Sequence, residues 1–266
     1  MRILRIGRLV LIVSFLLVGL SHAQTLEEYY NKGVEYGAQG KFEEADKEFK
    51  KALEVDRFFT PAKVSLKLIE DTLEKRLEDE VTIHLFKTTL YENKGMFDDA
   101  IAECKKAIAI NPNFAEAHYN LGVVYGDKGM LNEEIAEYEK AIAINPNLAE
   151  AHSDLGVAYR DKGMFDKEIA EYEKAIAINP NLAKAHSNLG VVYGSTGMLD
   201  DAIAEYEKAI AINPNLAEAH NNLAVAYYSK KQYDLAIEHC DKAVQLGYRV
   251  HPEFLQELRR VSGKDR

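Results

Sequence analysis

Five histidines stand 34 residues apart, at His84, His118, His152, His186 and His220, and two cysteines, Cys104 and Cys240, stand 136 apart. Residues of these types bind metals or form disulfides when they converge. Metal ligands must meet one ion at about 2 Å, and a disulfide needs Cα atoms within about 7 Å. Residues separated by whole multiples of 34 occupy one position in successive structural units, and packed helices set such units about 10 Å apart. On that spacing the histidines are rungs of a packed ladder with bonded ring nitrogens. The cysteines fall about 40 Å apart, which makes them small core residues or, alternatively, partners for another molecule. His239 and His251 are isolated and receive no assignment. No Ser/His/Asp set, phosphate-cradling glycine loop, haem motif or paired-acid motif stands out. The expectation is a non-enzyme with no cofactor and no metal.

The elements that carry these residues follow from the repeat. Segments 115–148, 149–182 and 183–216 align without gaps, and the second and third each match the first at 27 of 34 positions. More diverged copies lie at 81–114 and 217–250, and another, clearest in its second half, at 26–59. Each unit reads as two helices. In 115–148 the first carries Ala117, His118, Leu121, Gly122, Val124 and Tyr125 at i, i+3, i+4, i+7 spacing. Gly129 fits a left-handed C-cap. Asn132 suits the start of the second helix, whose stripe is Ile135, Tyr138, Ala141 and Ile142. Pro146 ends the unit. Asn113 with Glu116, Asn147 with Glu150 and Asn215 with Glu218 have capping-box spacing. Gly122, Gly156 and Gly190 allow close helix approach, with Tyr125, Tyr159 and Tyr193 filling the space beside them. Neither helix buries its apolar face alone, so stacked units make the core.

The order Leu121-Gly122, Tyr125, Gly129, Tyr138, Ala141, Pro146 resembles the tetratricopeptide-repeat (TPR) signature, and the resemblance covers 26–59 and 81–250. It implies an all-α, right-handed superhelical solenoid of helix-turn-helix repeats. Histidine replaces the usual aromatic of the first helix, and Glu134 and Glu168 replace the usual alanine of the second. Those glutamates either loosen local packing or tilt outward.

The resemblance further implies an extended peptide bound along the concave face of the first helices. By position, the fifth, sixth, ninth and thirteenth residues of each unit face it: Tyr119, Asn120, Val123 and Asp127; Ser153, Asp154, Val157 and Asp161; Ser187, Asn188, Val191 and Ser195; Asn221, Asn222, Val225 and Ser229. Asn31 joins the sixth-position column and Phe86 interrupts it. The column resembles the asparagine ladder in the TPR region of the O-linked N-acetylglucosamine transferases. There, side-chain amides offer both donor and acceptor to a polypeptide backbone. The carboxylate clamp of chaperone-binding TPRs does not fit, because Val123, Val157, Val191 and Val225 occupy its asparagine position. The plain alternative is a solvated face on a stable scaffold, or an assembly component that uses convex or edge surfaces.

Between the first two repeats lie 21 residues, Thr60 to Glu80. Pro61 suits a helix start, and Val64, Leu68, Leu73, Leu77 and Val81 continue at near four-residue spacing. About six helical turns fit this length, so the favoured reading extends the next repeat's first helix; a separate helix is the alternative. At the other end, Pro252, Phe254, Leu255, Leu258 and Val261 read as an amphipathic cap over 251–266.

The chain opens like an export signal over 1–23, with Arg2, Arg5 and Arg8 before the apolar run Leu9–Leu20 and small residues before Ala23. That run is shorter than the roughly 20 residues of a membrane span, and no lipobox cysteine follows. The expectation is a periplasmic or secreted protein; a retained anchor is the alternative. Cleavage moves the net charge from −10 to −13, since three arginines and no acid are lost. Such acidity argues against nucleic acid and anionic lipid; Glu116, Asp127, Glu150, Asp154, Asp161 and Glu218 make the groove acidic, with Lys184 and Arg160 as local exceptions, which favours a basic or neutral protein segment. The near-identical middle copies also permit self-association.

Overall fold

The computed structural model describes residues 25–263, and all regular structure among them is helical. The predicted signal over 1–23 and the last residues of the predicted tail lie outside the described residues. No described helix is long and apolar enough to cross a membrane. The chain divides into two compact units, the first ending at Met130 and the second beginning at Leu131.

The first unit holds α1 (25–38), α2 (Phe42–Val55), α3 (Thr60–Leu73), α4 (Asp79–Glu92), α5 (Phe97–Ile110) and α6 (Ala115–Asp127). Its core gathers Val34, Phe42, Phe49, Ala62, Ile69 and Phe86. Phe86 stacks on Phe49 with centroids 5.8 Å apart and lies over Gly37, where a Cβ would sit 2.4 Å from its ring. The insert does not extend the next repeat. It forms its own helix, α3, which packs Ala62 and Ile69 into that core. The chain breaks after Leu73 through Lys75, whose φ is 59°, and α4 begins afresh at Asp79. A hydrogen bond between the buried hydroxyls of Thr72 and Thr82, 2.6 Å long, joins the two helices. Apolar periodicity runs across the break because Leu77 is buried against Val81 and Leu85, although it lies outside both helices.

The second unit holds α7 (Leu131–Ile144), α8 (Ala149–Asp161), α9 (Phe165–Ile178), α10 (Ala183–Ser195), α11 (Leu199–Ile212), α12 (Ala217–Ser229), α13 (Tyr233–Gln245) and α14 (Pro252–Val261). Within it α8–α9, α10–α11 and α12–α13 are antiparallel pairs, and α14 closes the end as predicted, burying Leu258 with Phe254 and Leu255 against α12 and α13. The close approach at Gly156 and Gly190 differs from expectation in its partner. A Cβ there would meet the ring of Tyr172 at 2.6 Å and of Tyr206 at 2.7 Å, so the second-helix tyrosine of the same repeat fills the gap. Tyr159 instead donates its hydroxyl to Glu139, 2.8 Å away in the preceding repeat, and Tyr227 does the same to Glu207 at 2.6 Å.

The predicted capping boxes are replaced by tighter local turns. Leu148 and Leu216, not Asn147 and Asn215, are the N-caps of α8 and α12, and neither helix has a side-chain cap bond. The first asparagine of each Asn-Pro-Asn turn acts instead: Asn145, Asn179 and Asn213 accept from the backbone N–H two residues on, at 3.0–3.1 Å. Asn111 does so in the first unit. Asn132 lies inside the first turn of α7 and accepts from Lys162 at 3.0 Å. Glu168 turns inward and is 1 % exposed.

Candidate peptide-binding face

The first-helix histidines are packed and bonded. Nε2 of His152, His186 and His220 donates to the carbonyls of Pro146, Pro180 and Pro214 at 3.1 Å, stitching each helix to the turn before it. Nδ1 of His84, His152 and His186 lies 2.6 Å from Glu103, Glu171 and Glu205. A lysine three residues on, Lys106, Lys174 or Lys208, donates to the same carboxylate at 2.6–2.7 Å. Burial raises these carboxyls' pKa, but the bonds from His and Lys win and hold each below its ordinary value. These networks lock the first helices and leave a different row of residues outward.

In the second unit that row is the sixth, ninth and thirteenth positions. The fifth position is not in it: Ser153 and Ser187 are buried, 1 % and 5 % exposed, because their small side chains fit between helices. Asn221 is half-buried and donates to Asn222 at 3.3 Å. Asp154 and Asn188 are half-buried, with Asp154 paired at 2.8 Å to Lys184 of the next first helix. That ion pair sets α8 beside α10 and places Asn188, one turn beyond Lys184, further along the same face. The Nδ2 of Asn188 is enclosed and has no hydrogen-bond acceptor. Val157 and Val191 are half-buried, packing on the cores around Tyr172 and Tyr206, and Val225 is exposed. Asp161, Ser195 and Ser229 are exposed.

In the first unit Tyr119, Asn120 and Val123 are half-buried on α6. Asn31 is exposed on α1 and accepts from Nδ2 of Asn93, the C-cap residue that follows α4, at 3.0 Å. It therefore pairs with a residue outside the column, and the buried Phe86 takes the sixth place of the intervening repeat. Sequence reasoning missed Glu92. Burial, and then the charge and close approach of Asp127, push its carboxyl up to about 7, so α4 and α6 present a carboxyl pair that is partly protonated at neutral pH. Neither Lys184 nor Glu92 was among the expected site residues. Both occupy positions where otherwise similar repeats differ from one another, and that variation was the available signal.

Profiles of one repeat family match most of the chain. The profile described as TPR repeat matches residues 90–129, 124–163, 156–197 and 194–231, and that described as tetratricopeptide repeat matches 26–59 and 217–246. No curated protein matches. Among solved structures, a crystal structure of MamA is 34 % identical, covers 60 % of this chain and 94 % of its own, and superposes with a TM-score of 0.52. TTC0263, a thermophilic TPR protein of Thermus thermophilus, is 25 % identical over 69 % of this chain and 97 % of its own, with a TM-score of 0.54. PilF of Pseudomonas aeruginosa shares the fold at a TM-score of 0.65, with 22 % identity over 70 % of this chain and 86 % of its own.

Proposed function

The chain belongs to the tetratricopeptide-repeat family, and from that premise we propose that it is a non-catalytic scaffold whose first-helix face holds an extended segment of another protein. The observation that carries this reading is one row of carboxamides beside one row of valines. Asn188 and Asn222 stand at the sixth position, and Val157, Val191 and Val225 at the ninth. Because Nδ2 of Asn188 has no internal acceptor, turning its amide outward breaks no existing bond and offers a donor to a backbone carbonyl. Asn120 and Val123 supply the same pair of functions on α6. The valines give shallow apolar contacts with loose side-chain preference.

A basic or neutral segment suits the face. Glu92 and Asp127 crowd each other, and a lysine or arginine between them relieves that repulsion. The acidic balance of the chain disfavours nucleic acid. The pattern from Arg2 to Ala23 supports action outside the cytoplasm after removal of the signal.

The test uses a library of unstructured peptides read by fluorescence anisotropy. A selected peptide should lose about tenfold or more in affinity to the Asn120/Asn188/Asn222→Ala variant, and again when its own backbone amides are N-methylated. Unchanged binding in both cases would remove the backbone-ladder mechanism.

A second reading rests on a separate observation. Phe165, the first residue of α9, and Met198, the N-cap of α11, flank successive interhelix turns of the second unit and are 63 % and 47 % exposed. Such apolar turn residues suit edge contacts in a larger assembly. Phe165→Ser with Met198→Ser should disperse that assembly while leaving peptide binding intact.

A further inference from the structure

Opposite His84, His152 and His186 the second-helix partner is a glutamate held by a lysine; opposite His220 it is another imidazole. His239 stands 19 residues on, in the glutamate's place, with its Nδ1 3.0 Å from Nδ1 of His220. The rings stack at 5.3 Å and 27°, and Tyr227 stacks on His239 at 5.7 Å. Nε2 of His220 donates to the Pro214 carbonyl at 3.1 Å, so the neutral ring carries its proton there and leaves Nδ1 a bare lone pair. Metal-bound imidazoles use the same arrangement, with the non-ligating N–H tied to a carbonyl that fixes tautomer and orientation.

We propose that Nδ1 of His220 and Nδ1 of His239 form a two-imidazole site for a divalent late transition-metal ion of the copper or nickel class. Nitrogens 3.0 Å apart, each about 2.0 Å from an ion, subtend an angle of about 95–100°. That is nearer the cis angle of a tetragonal ion than a tetrahedral one, which favours Cu(II) or Ni(II) over Zn(II). The site opens on a cleft of about 440 Å³ lined by His220, Glu238, His239, Asp241, Lys242 and Gln245. Among the described residues no three His, Cys, Asp or Glu side chains converge as a ligand set, so water fills the remaining positions. Loading requires His239 to carry its proton on Nε2 instead of Nδ1; the ring stays neutral and no net proton is lost. Burial, with the charge of Lys242 acting on His220 and His220 itself acting on His239, lowers both pKa values.

The inference is independent of peptide binding. Its test titrates the chain with Cu(II) chloride at pH 7.4, following stoichiometry by calorimetry and ligand nitrogens by electron paramagnetic resonance. His239→Glu restores the His–Glu–Lys set of the other repeats, and His251→Gln removes a nearby exposed imidazole. One Cu(II) per chain with a two-nitrogen signature is expected, weakened about tenfold or more by His239→Glu and unchanged by His251→Gln. Should His239→Glu lose its helical circular dichroism, nuclear magnetic resonance of the unmodified chain decides the matter: sub-stoichiometric Cu(II) must broaden the His220 and His239 ring signals before those of any other histidine. Absence of stoichiometric binding, equal binding by a folded His239→Glu variant, or broadening that begins elsewhere overturns the site.

Discussion

Tyr206 lies with its ring edge directly over Gly190, so close that a methyl group on Gly190 would stand 2.7 Å from Cε1. Gly190 is in mid-helix with ordinary helical backbone, and its role is space. The same relationship joins Tyr172 to Gly156. The first and second helices of a repeat meet over these two side chains, and the depth of the hairpin is set there.

Gly190→Ala should therefore destabilise the second unit by about 1–3 kcal/mol through overpacking, despite alanine's better helix propensity. Urea unfolding measures it. Tyr206→Leu in the same chain should recover part of the loss, because the clash and the ring are one interaction. A stabilised single variant would show that the hairpin has room to spread.

Lys231 occupies the turn position that Gly163 and Gly197 hold in earlier repeats, and its φ is 62°. An L-residue with a Cβ costs about 1–2 kcal/mol in that region, while glycine gives back part of the difference in unfolded-chain entropy. Lys231→Gly should raise stability by about 0.5–1 kcal/mol. The neighbouring ion pair of Lys230 with Asp200 is left in place.

Glu168 is buried with Oε1 unpartnered, and burial raises its pKa despite Arg160 and the nearby Tyr172 hydroxyl. The equivalent residues in the next two repeats are Ala202 and Ala236, both fully buried. Glu168→Ala should stabilise the chain by about 1 kcal/mol or more at neutral pH, and Ala202→Glu should do the reverse. Thermal unfolding of the two variants gives opposite shifts.

The Glu92 carboxyl titrates at about 7 in the folded chain, against an ordinary value of 4.5. Between these values the folded state holds a proton that the unfolded state has released. Its contribution is therefore most favourable below pH 4.5 and is lost as pH rises through 7. Glu92→Gln should be nearly neutral at pH 5 and stabilising by about 1–3 kcal/mol at pH 8. An equal effect at both pH values would mean that the carboxyl is not protonated near neutrality.

The repeat register was legible because glycine, tyrosine and proline recur at 34 residues, and helix pairs follow from that period alone. The break at Lys75 was not, because Leu73 and Leu77 sustain an apolar rhythm across it. The rhythm misleads at Leu73, which is 56 % exposed at the end of α3. Ser153 and Ser187 were expected outward from their fifth position in the unit; their small size lets them be buried between helices instead. The histidines were identified as packed, but nothing in their spacing singled out Glu103, Glu171 and Glu205 from the many acids around them. The substitution at His239 becomes meaningful only when that pairing is known. The recurrence of amides at the sixth position was readable from the period, whereas the Asn31–Asn93 pair and the elevated carboxyl of Glu92 depend on how α1, α4 and α6 pack.

Each Asn-Pro-Asn turn closes on its own asparagine, and its proline carbonyl receives the histidine of whichever helix follows. Each of the four cassettes from 81 to 216 thus carries its own punctuation and meets its successor through the same bond. A copy can be duplicated or deleted in register without repair to its neighbours, so the length of the array is a quantity that recombination can adjust while the joints stay unchanged.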